Sequence, residues 1–463
     1  MMTLTLITLM VLAGCGTIIG QLVNIPKVTP GITYGNGSIN APVQIEMFIE
    51  LNCGDSLLAW YTLMNVTKAF GDNIVRLRYN HFALPYHRNG FLVGQGAYLV
   101  QAEKPEKVTA YMDEVFSHLR YFSTGFGANF TRDDILNFLG ELAENSTGIP
   151  RSNFTRDIGK YWDTARQAWK YGIRQGAAGT PWFYINGLDL TRDPNQPITY
   201  EQWVQIINNL ISTSDFSAES FSFDAIQSTP VPYLPTQVTP ILPSLSGHIY
   251  NDGQPHASVT VEMYGELLCP YSKAQWPILK QVADHYGEDR LRLVVHQNPL
   301  PYHRNGFLVS QGVLLMQDKK PESVIPYMDA VYAAASNFST GRSSHMSRND
   351  VIELLSTIAN QATSMPIADF KANIDRYRWS LVRQWKYYAR LGIAGTPWFS
   401  VNSVLLTGGT PSDVEGWKAL LDNYVKEYVT TTPVPPATTV SSGNLATTSF
   451  ITIATAATIK FAI

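Results

Sequence analysis

Cysteine is scarce in this chain of 463 residues, with three present, at Cys15, Cys53 and Cys269. Three thiols cannot build a disulfide framework or a four-thiolate zinc site. Charge is thin as well, at 15% of residues, where a soluble chain usually carries about 25%. With 45% apolar residues beside it, that composition excludes a charge-driven disordered protein. There is no basic surplus: 34 Lys and Arg stand against 37 Asp and Glu, a net charge of −3. Nucleic-acid binding therefore has no electrostatic support. No phosphate loop, serine-hydrolase motif or metal-ligand cluster is present, and no cofactor is expected.

What is there begins at the ends. Leu4 to Ala13 is a short apolar run followed by Gly14, Cys15 and Gly16. It reads as a secretory signal peptide over residues 1–20, too short for a membrane span. As a bacterial lipobox, Leu12-Ala-Gly-Cys15 would instead attach a lipid. Six Asn-X-Ser/Thr sequons, at Asn36, Asn65, Asn129, Asn145, Asn153 and Asn337, fit a glycoprotein of the secretory pathway, extracellular or at the cell surface. The tail, 430–463, is rich in Thr, Pro and Ser and then turns apolar. It resembles a GPI-anchor signal, a route to membrane attachment, with a Thr-rich stalk as the alternative.

The decapeptide Leu84-Pro-Tyr-His-Arg-Asn-Gly-Phe-Leu-Val93 recurs unchanged as Leu300 to Val309, 216 residues later. The same offset relates Cys53 to Cys269, Trp169-Lys-Tyr to Trp385-Lys-Tyr and Gly179-Thr-Pro-Trp-Phe to Gly395-Thr-Pro-Trp-Phe. A constant offset across separate landmarks means that a whole domain is used twice. The copies are placed at 41–211 and 258–427. Residues 213–257, dense in Pro, Ser and Thr, read as a semi-extended linker, with domain motion as the default expectation.

In each copy a β-branched run, Val43 to Ile49 or Val259 to Tyr264, leads to the cysteine. Helical spacing follows, to Gly71 or Gly287, and then a second strand at Ile74 to Phe82 or Leu291 to Val295. Strands joined by a helix should be parallel, which puts His87 and His303 on the cysteine side of the sheet. A cysteine at a helix N-terminus meets unpaired N–H groups and the positive end of the dipole, which favour the thiolate.

At this point the chain resembles a known family. Glu266-Leu-Leu-Cys-Pro-Tyr-Ser272 is similar to the active-site segment of thioredoxin-fold proteins, and Gly-Thr-Pro-Trp-Phe to their cis-proline loop, at Pro181 and Pro397. Each cysteine stands 128 positions before its proline, with helix-like stretches at Tyr111 to Leu119 and Ile135 to Leu142 between. That length resembles the helical insertion of DsbA-like disulfide oxidoreductases. The resemblance implies an α/β protein of two thioredoxin-like domains, each with an inserted helical subdomain. It also implies that Thr180 and Thr396 face the cysteines. Glu46 and Glu262 resemble the family's buried acid at a register one residue longer, and read as half-exposed strand carboxylates. His87 and His303 would either lower a thiol pKa or shape the loop. Trp182 and Trp398 line core or groove, and Trp169 and Trp385 are core.

The departure from the family decides the expected chemistry. Its oxidoreductases carry Cys-X-X-Cys, whereas the fourth position here is Ser56 or Ser272, and a hydroxyl cannot resolve a mixed disulfide. Monothiol exchange remains, centred on Cys269 and acting on proteins with cysteines or disulfides or on glutathione disulfide, with glutathione as a co-substrate. Asp55, beside Cys53, is expected to raise that thiol's pKa and leave the first domain the less reactive. Two other readings stay open. One is a non-catalytic module binding extended peptides along the cis-proline groove. The other is glutathione handling of the kind that kappa-class glutathione transferases, which this fold resembles, carry out.

Overall fold

The computed structural model describes residues 30–190, 197–212, 247–407 and 409–428. The expected signal peptide, stalk and anchor signal, and residues 213–246 of the expected linker, lie outside the described residues.

Alternating apolar and polar residues in Val43–Ile49 give strand β2, whose buried positions face the core. The helix Gly54–Phe70 carries the chain back to β3, Val75–His81, which runs parallel to β2 from the Val43–Val75 pair to the Ile49–His81 pair. Strand β4, Trp182–Ile185, lies antiparallel on the other side of β2 and turns into β5, Leu188–Asp189. Strand β1, Ile32–Thr33, closes the far edge against β3. The second copy repeats this with β6 (His248–Tyr250), β7 (Val259–Gly265), β8 (Leu291–Gln297), β9 (Trp398–Val401) and β10 (Val404–Leu405). The orders are β1-β3-β2-β4-β5 and β6-β8-β7-β9-β10.

Between the parallel pair and the hairpin of each copy sits a helical block, including Gly90–Glu103, Val108–Ser117, Arg132–Thr147 and Trp162–Gln175 in the first. Local chemistry starts its helices. Thr131 and Asp134 form a reciprocal capping box at Arg132–Thr147, as Ser347 and Asp350 do at Arg348–Thr363. These are two thioredoxin-like α/β domains, each with an inserted helical subdomain, as the resemblance implies.

Two expected boundaries need correction. Strand β1 lies before residue 41, and β6 lies inside the segment read as linker to 257. Both are short edge strands in Pro-, Gly- and Ser-rich surroundings, so they carry almost no periodicity. Each is pinned by one aromatic contact, Tyr34 on Trp60 and Tyr250 on Trp276.

The domains do not hang apart on a tether. They meet across an approximate two-fold built from equivalent residues. Arg88 Nε donates to Asn305 Oδ1 at 3.1 Å, and Arg304 Nε to Asn89 Oδ1 at 3.2 Å. Arg174 donates to the Gly392 carbonyl at 3.3 Å, and Arg390 to that of Gly176 at 2.8 Å. Tyr86 packs on Phe307 and Trp385, and Tyr302 on Phe91, Trp162 and Trp169. Aromatic residues of the first domain share one buried cluster with the core of the second. The expectation of domain motion weighed only the linker. Aromatic contacts of this kind contribute about 0.5–1.5 kcal/mol each beyond their buried area, and they hold the domains together.

Candidate active sites: one thiol in each domain

Cys53 and Cys269 occupy the N-cap positions of the helices Gly54–Phe70 and Pro270–Tyr286, directly after the central strands. Strand, thiol and helix follow in the expected order. The peptides Thr180–Pro181 and Thr396–Pro397 are cis, and their loops reach the thiols. Cys269 Sγ donates to the Thr396 carbonyl at 3.3 Å, and Cys53 Sγ to that of Thr180 at 3.5 Å. Both cysteines are free and buried, 3% and 6% exposed.

The fourth-position serines are fully buried. Ser272 Oγ accepts from the Glu266 N–H and Ser56 Oγ from the Glu50 N–H, both at 3.2 Å. Each serine also favours its thiolate, as does the threonine of the facing loop. Burial nevertheless pushes both thiols above their ordinary value, and the carboxyl of Glu50 or Glu266 adds to the rise.

Glu50 and Glu266 are the acids beneath the sites, fully buried three residues before each cysteine. Sequence reasoning looked instead at Glu46 and Glu262, which are half-buried and bonded within the sheet, Glu46 to Arg78 and Asn80, Glu262 to His296 and Ser400. The available signal was a glutamate at the same distance from the cysteine in both copies. Glu50 accepts from the Leu84 N–H at 2.9 Å and pairs with His87; Glu266 accepts from the Leu300 N–H at 3.3 Å and pairs with His303. The histidines therefore anchor the Leu-Pro-Tyr-His loops to the buried acids. Trp182, Trp398, Trp169 and Trp385 are all buried.

Asp55 is exposed and is not among the main causes of the shift of Cys53, which are burial and Glu50. The asymmetry expected from it is corrected, because a carboxylate in water acts through high dielectric. Asp55→Asn should leave the pH profile of Cys53 alkylation within about twofold of the parent at every pH. A larger acceleration near neutral pH would restore the original expectation.

Sequence reasoning also missed residues that arrive from the opposite domain. Lys170 lies beside the Cys269 site and Lys386 beside the Cys53 site, their ammonium groups 3.8 and 3.5 Å from where a Cβ on Gly395 or Gly179 would stand. Nothing local marks them, because the domain interface alone brings them there. The cis-proline loops themselves, 179–182 and 395–398, are buried.

No protein-family model and no curated protein matches the chain. Among solved structures it is similar to DsbA from Chlamydia trachomatis, with 16% identity, 42% of this chain and 97% of that chain covered, and a TM-score of 0.33. It is also similar to oxidised BdbD from Bacillus subtilis, with 16% identity, 39% and 93% coverage, and a TM-score of 0.31. A third is MdbA, a thiol-disulfide oxidoreductase from Actinomyces oris, with 14% identity, 38% and 87% coverage, and a TM-score of 0.31. At such identities the likeness concerns the fold alone.

Proposed function

We propose that the protein carries out monothiol thiol-disulfide exchange in the secretory pathway or at the cell surface, with Cys269, whose helix starts on the pre-set Pro270 where the first domain has the flexible Gly54, as the principal thiol and Cys53 as the second. The observation that carries this reading is the site itself. In each domain a free cysteine at a helix N-terminus contacts a cis-proline loop, with serine in place of a second thiol.

The Cys269 thiolate attacks one sulfur of a substrate disulfide, forms a mixed disulfide, and releases the other half as a thiolate that takes up a proton from water. A second thiol, such as glutathione or a substrate cysteine, attacks the mixed disulfide and regenerates Cys269. Ser272 and Thr396 stabilise the thiolate in the first step but cannot perform the second. Because burial raises the thiol pKa, the rate should climb with pH above neutrality.

The buried loops favour small disulfides over an extended peptide, since Gly395 to Trp398 offer no open edge for strand addition. The secretory reading is supported by the six sequons: Asn36, Asn65, Asn129 and Asn145 are exposed, Asn153 and Asn337 half-buried. The tail would supply attachment to a membrane.

The test is turnover of hydroxyethyl disulfide with glutathione as the resolving thiol. Cys269→Ser should lower the rate at least tenfold and Cys53→Ser should lower it less, taking ~10 as the scale of losing a reactive thiolate. No turnover by the parent, or a rate carried by Cys53 alone, would overturn the assignment.

A further inference from the structure

The two sites differ in what the opposite domain brings to them. Helix Trp162–Gln175 of the first domain presents Arg166, Lys170 and Arg174 at four-residue spacing, one face of the helix. That face is turned to the Cys269 site. Arg166 acts electrostatically on Tyr302, the ring beside Cys269, and Lys170 on Cys269 itself. Arg174 lies over the Trp398 ring, 4.8 Å from its centroid. The equivalent positions in the second domain hold Val382, Lys386 and Arg390, and the third cation of the Cys53 site is Arg378, whose guanidinium is held by the Tyr86 carbonyl at 2.9 Å.

Three of the donors around Cys269 lack partners. Lys170 is 2% exposed, and among the described residues no hydrogen bond or ion pair holds its ammonium. Trp398 and Thr396, each 4% exposed, leave the indole Nε1–H and the hydroxyl Oγ1 unpaired. The groups converge, because the point a Cβ on Gly395 would occupy lies 3.8 Å from Lys170 Nζ and 3.9 Å from Trp398 Nε1. Buried polar groups in native proteins are nearly always satisfied. A cation and an indole N–H around one point are jointly satisfied by an acceptor of negative charge. The nearest acid on the same helix, Asp163, is largely exposed and already bonded to Arg166.

We propose that Lys170 and Trp398, backed by Arg166 and Arg174, form a receptor for the carboxylate of a small acidic disulfide that exchanges with Cys269. The site is composite, with the thiol and the indole donor from the second domain and the cations from the first. This rests on the exchange reading and names its substrate class. Burial pushes the Lys170 pKa down to about 8, and an anion seated there would draw it back up and keep the ammonium charged. In the exchange step the thiolate displaces one half of the disulfide, the S–S bond breaks as the new one forms, and the carboxylate stays on Lys170 without reacting.

The full chain carrying Cys53→Ser isolates Cys269. Its rate of mixed-disulfide formation is measured by intact mass with dithiodipropionate, hydroxyethyl disulfide and cystamine. These carry two carboxylates, no charge and two ammonium groups respectively. Each rate is divided by that of the same reagent with 2-mercaptoethanol. The anionic reagent should exceed the cationic one by at least about tenfold at low salt. Lys170→Met should bring the ratio near unity and Lys170→Arg should keep it. Arg166→Val, which installs the residue of the other copy, should lower it partway without touching a buried position. Equal normalised rates in the parent, or a ratio unchanged in Lys170→Met and Arg166→Val, would overturn the receptor and leave the exchange reading intact. Failure of all three reagents to modify Cys269 would bring down both.

Discussion

Replacing Glu266 by alanine should destabilise the second domain by about 3 kcal/mol, the upper end of the loss when a buried group is left without its hydrogen-bond partner. The carboxyl is fully buried, accepts from the Leu300 N–H and pairs with His303. Without it, a backbone N–H and an imidazole are left beside a void. The neighbourhood cannot close over that void cheaply. Helix Gly306–Lys319 already approaches so closely that a Cβ on Gly306 would stand 1.9 Å from Glu266 Oε1. Urea unfolding of the full chain, with hydrogen exchange to assign the loss to the second domain, measures the effect. Glu262→Ala is the control, since that carboxylate is half-buried, and it should cost no more than about 1–2 kcal/mol. Equal losses for the two variants would show that Glu266 does not anchor the loop.

Glu266→Gln separates anchoring from charge. The amide keeps an acceptor for the Leu300 N–H but removes the negative charge that helps hold the Cys269 pKa up. Alkylation of Cys269 should then accelerate at neutral pH, with its pH profile moved to lower values. An unmoved profile would leave burial as the sole cause of the raised pKa.

The repeat was legible because it needs no physics beyond a constant offset, and from it followed the two domains; the strand-thiol-helix order came from hydrophobic spacing, and the cis-proline loops from the family resemblance. What the decapeptide at 84–93 and 300–309 does was not legible. Arg88 meets Asn305 while Arg304 meets Asn89, so each copy must present the same groups to the other. That is the self-complementarity of a two-fold interface, here closed within one chain. Glu50 and Glu266 went unread because a carboxyl in an apolar segment looks like a strand residue until its partner is known, and the partner lies 37 residues away. Lys170 went unread because a lysine on an amphipathic helix is ordinarily solvated. Its burial comes from the packing of one domain on the other, which no window of sequence contains.

Departures between the copies carry information of their own, and one gives the largest pH effect. His81 at the end of β3 is buried, its Nε2–H donating to the Gly90 carbonyl at 3.0 Å while Nδ1 has no partner. Protonating Nδ1 would place a second N–H and a charge where nothing receives them, and burial pushes the His81 pKa down to about 4. A base with a depressed folded pKa contributes stability that is present above its unfolded value, near 6.5, and is lost as pH falls toward the folded value. Between pH 7 and pH 4 the first domain should therefore lose up to about 3 kcal/mol through this group alone. The second domain lacks the device, having Gln297 at the equivalent position and Ser310 where the first has Gly94. The two differences belong together, since a Cβ on Gly94 would stand 1.8 Å from the His81 ring. The double variant His81→Gln with Gly94→Ser transplants the second domain's pair into the first. Urea midpoints of the first domain, assigned by hydrogen exchange at pH 7 and pH 5, should fall clearly in the parent and much less in the double variant. If both fall equally, the acid sensitivity belongs to the carboxylates, and His81 is neutral packing.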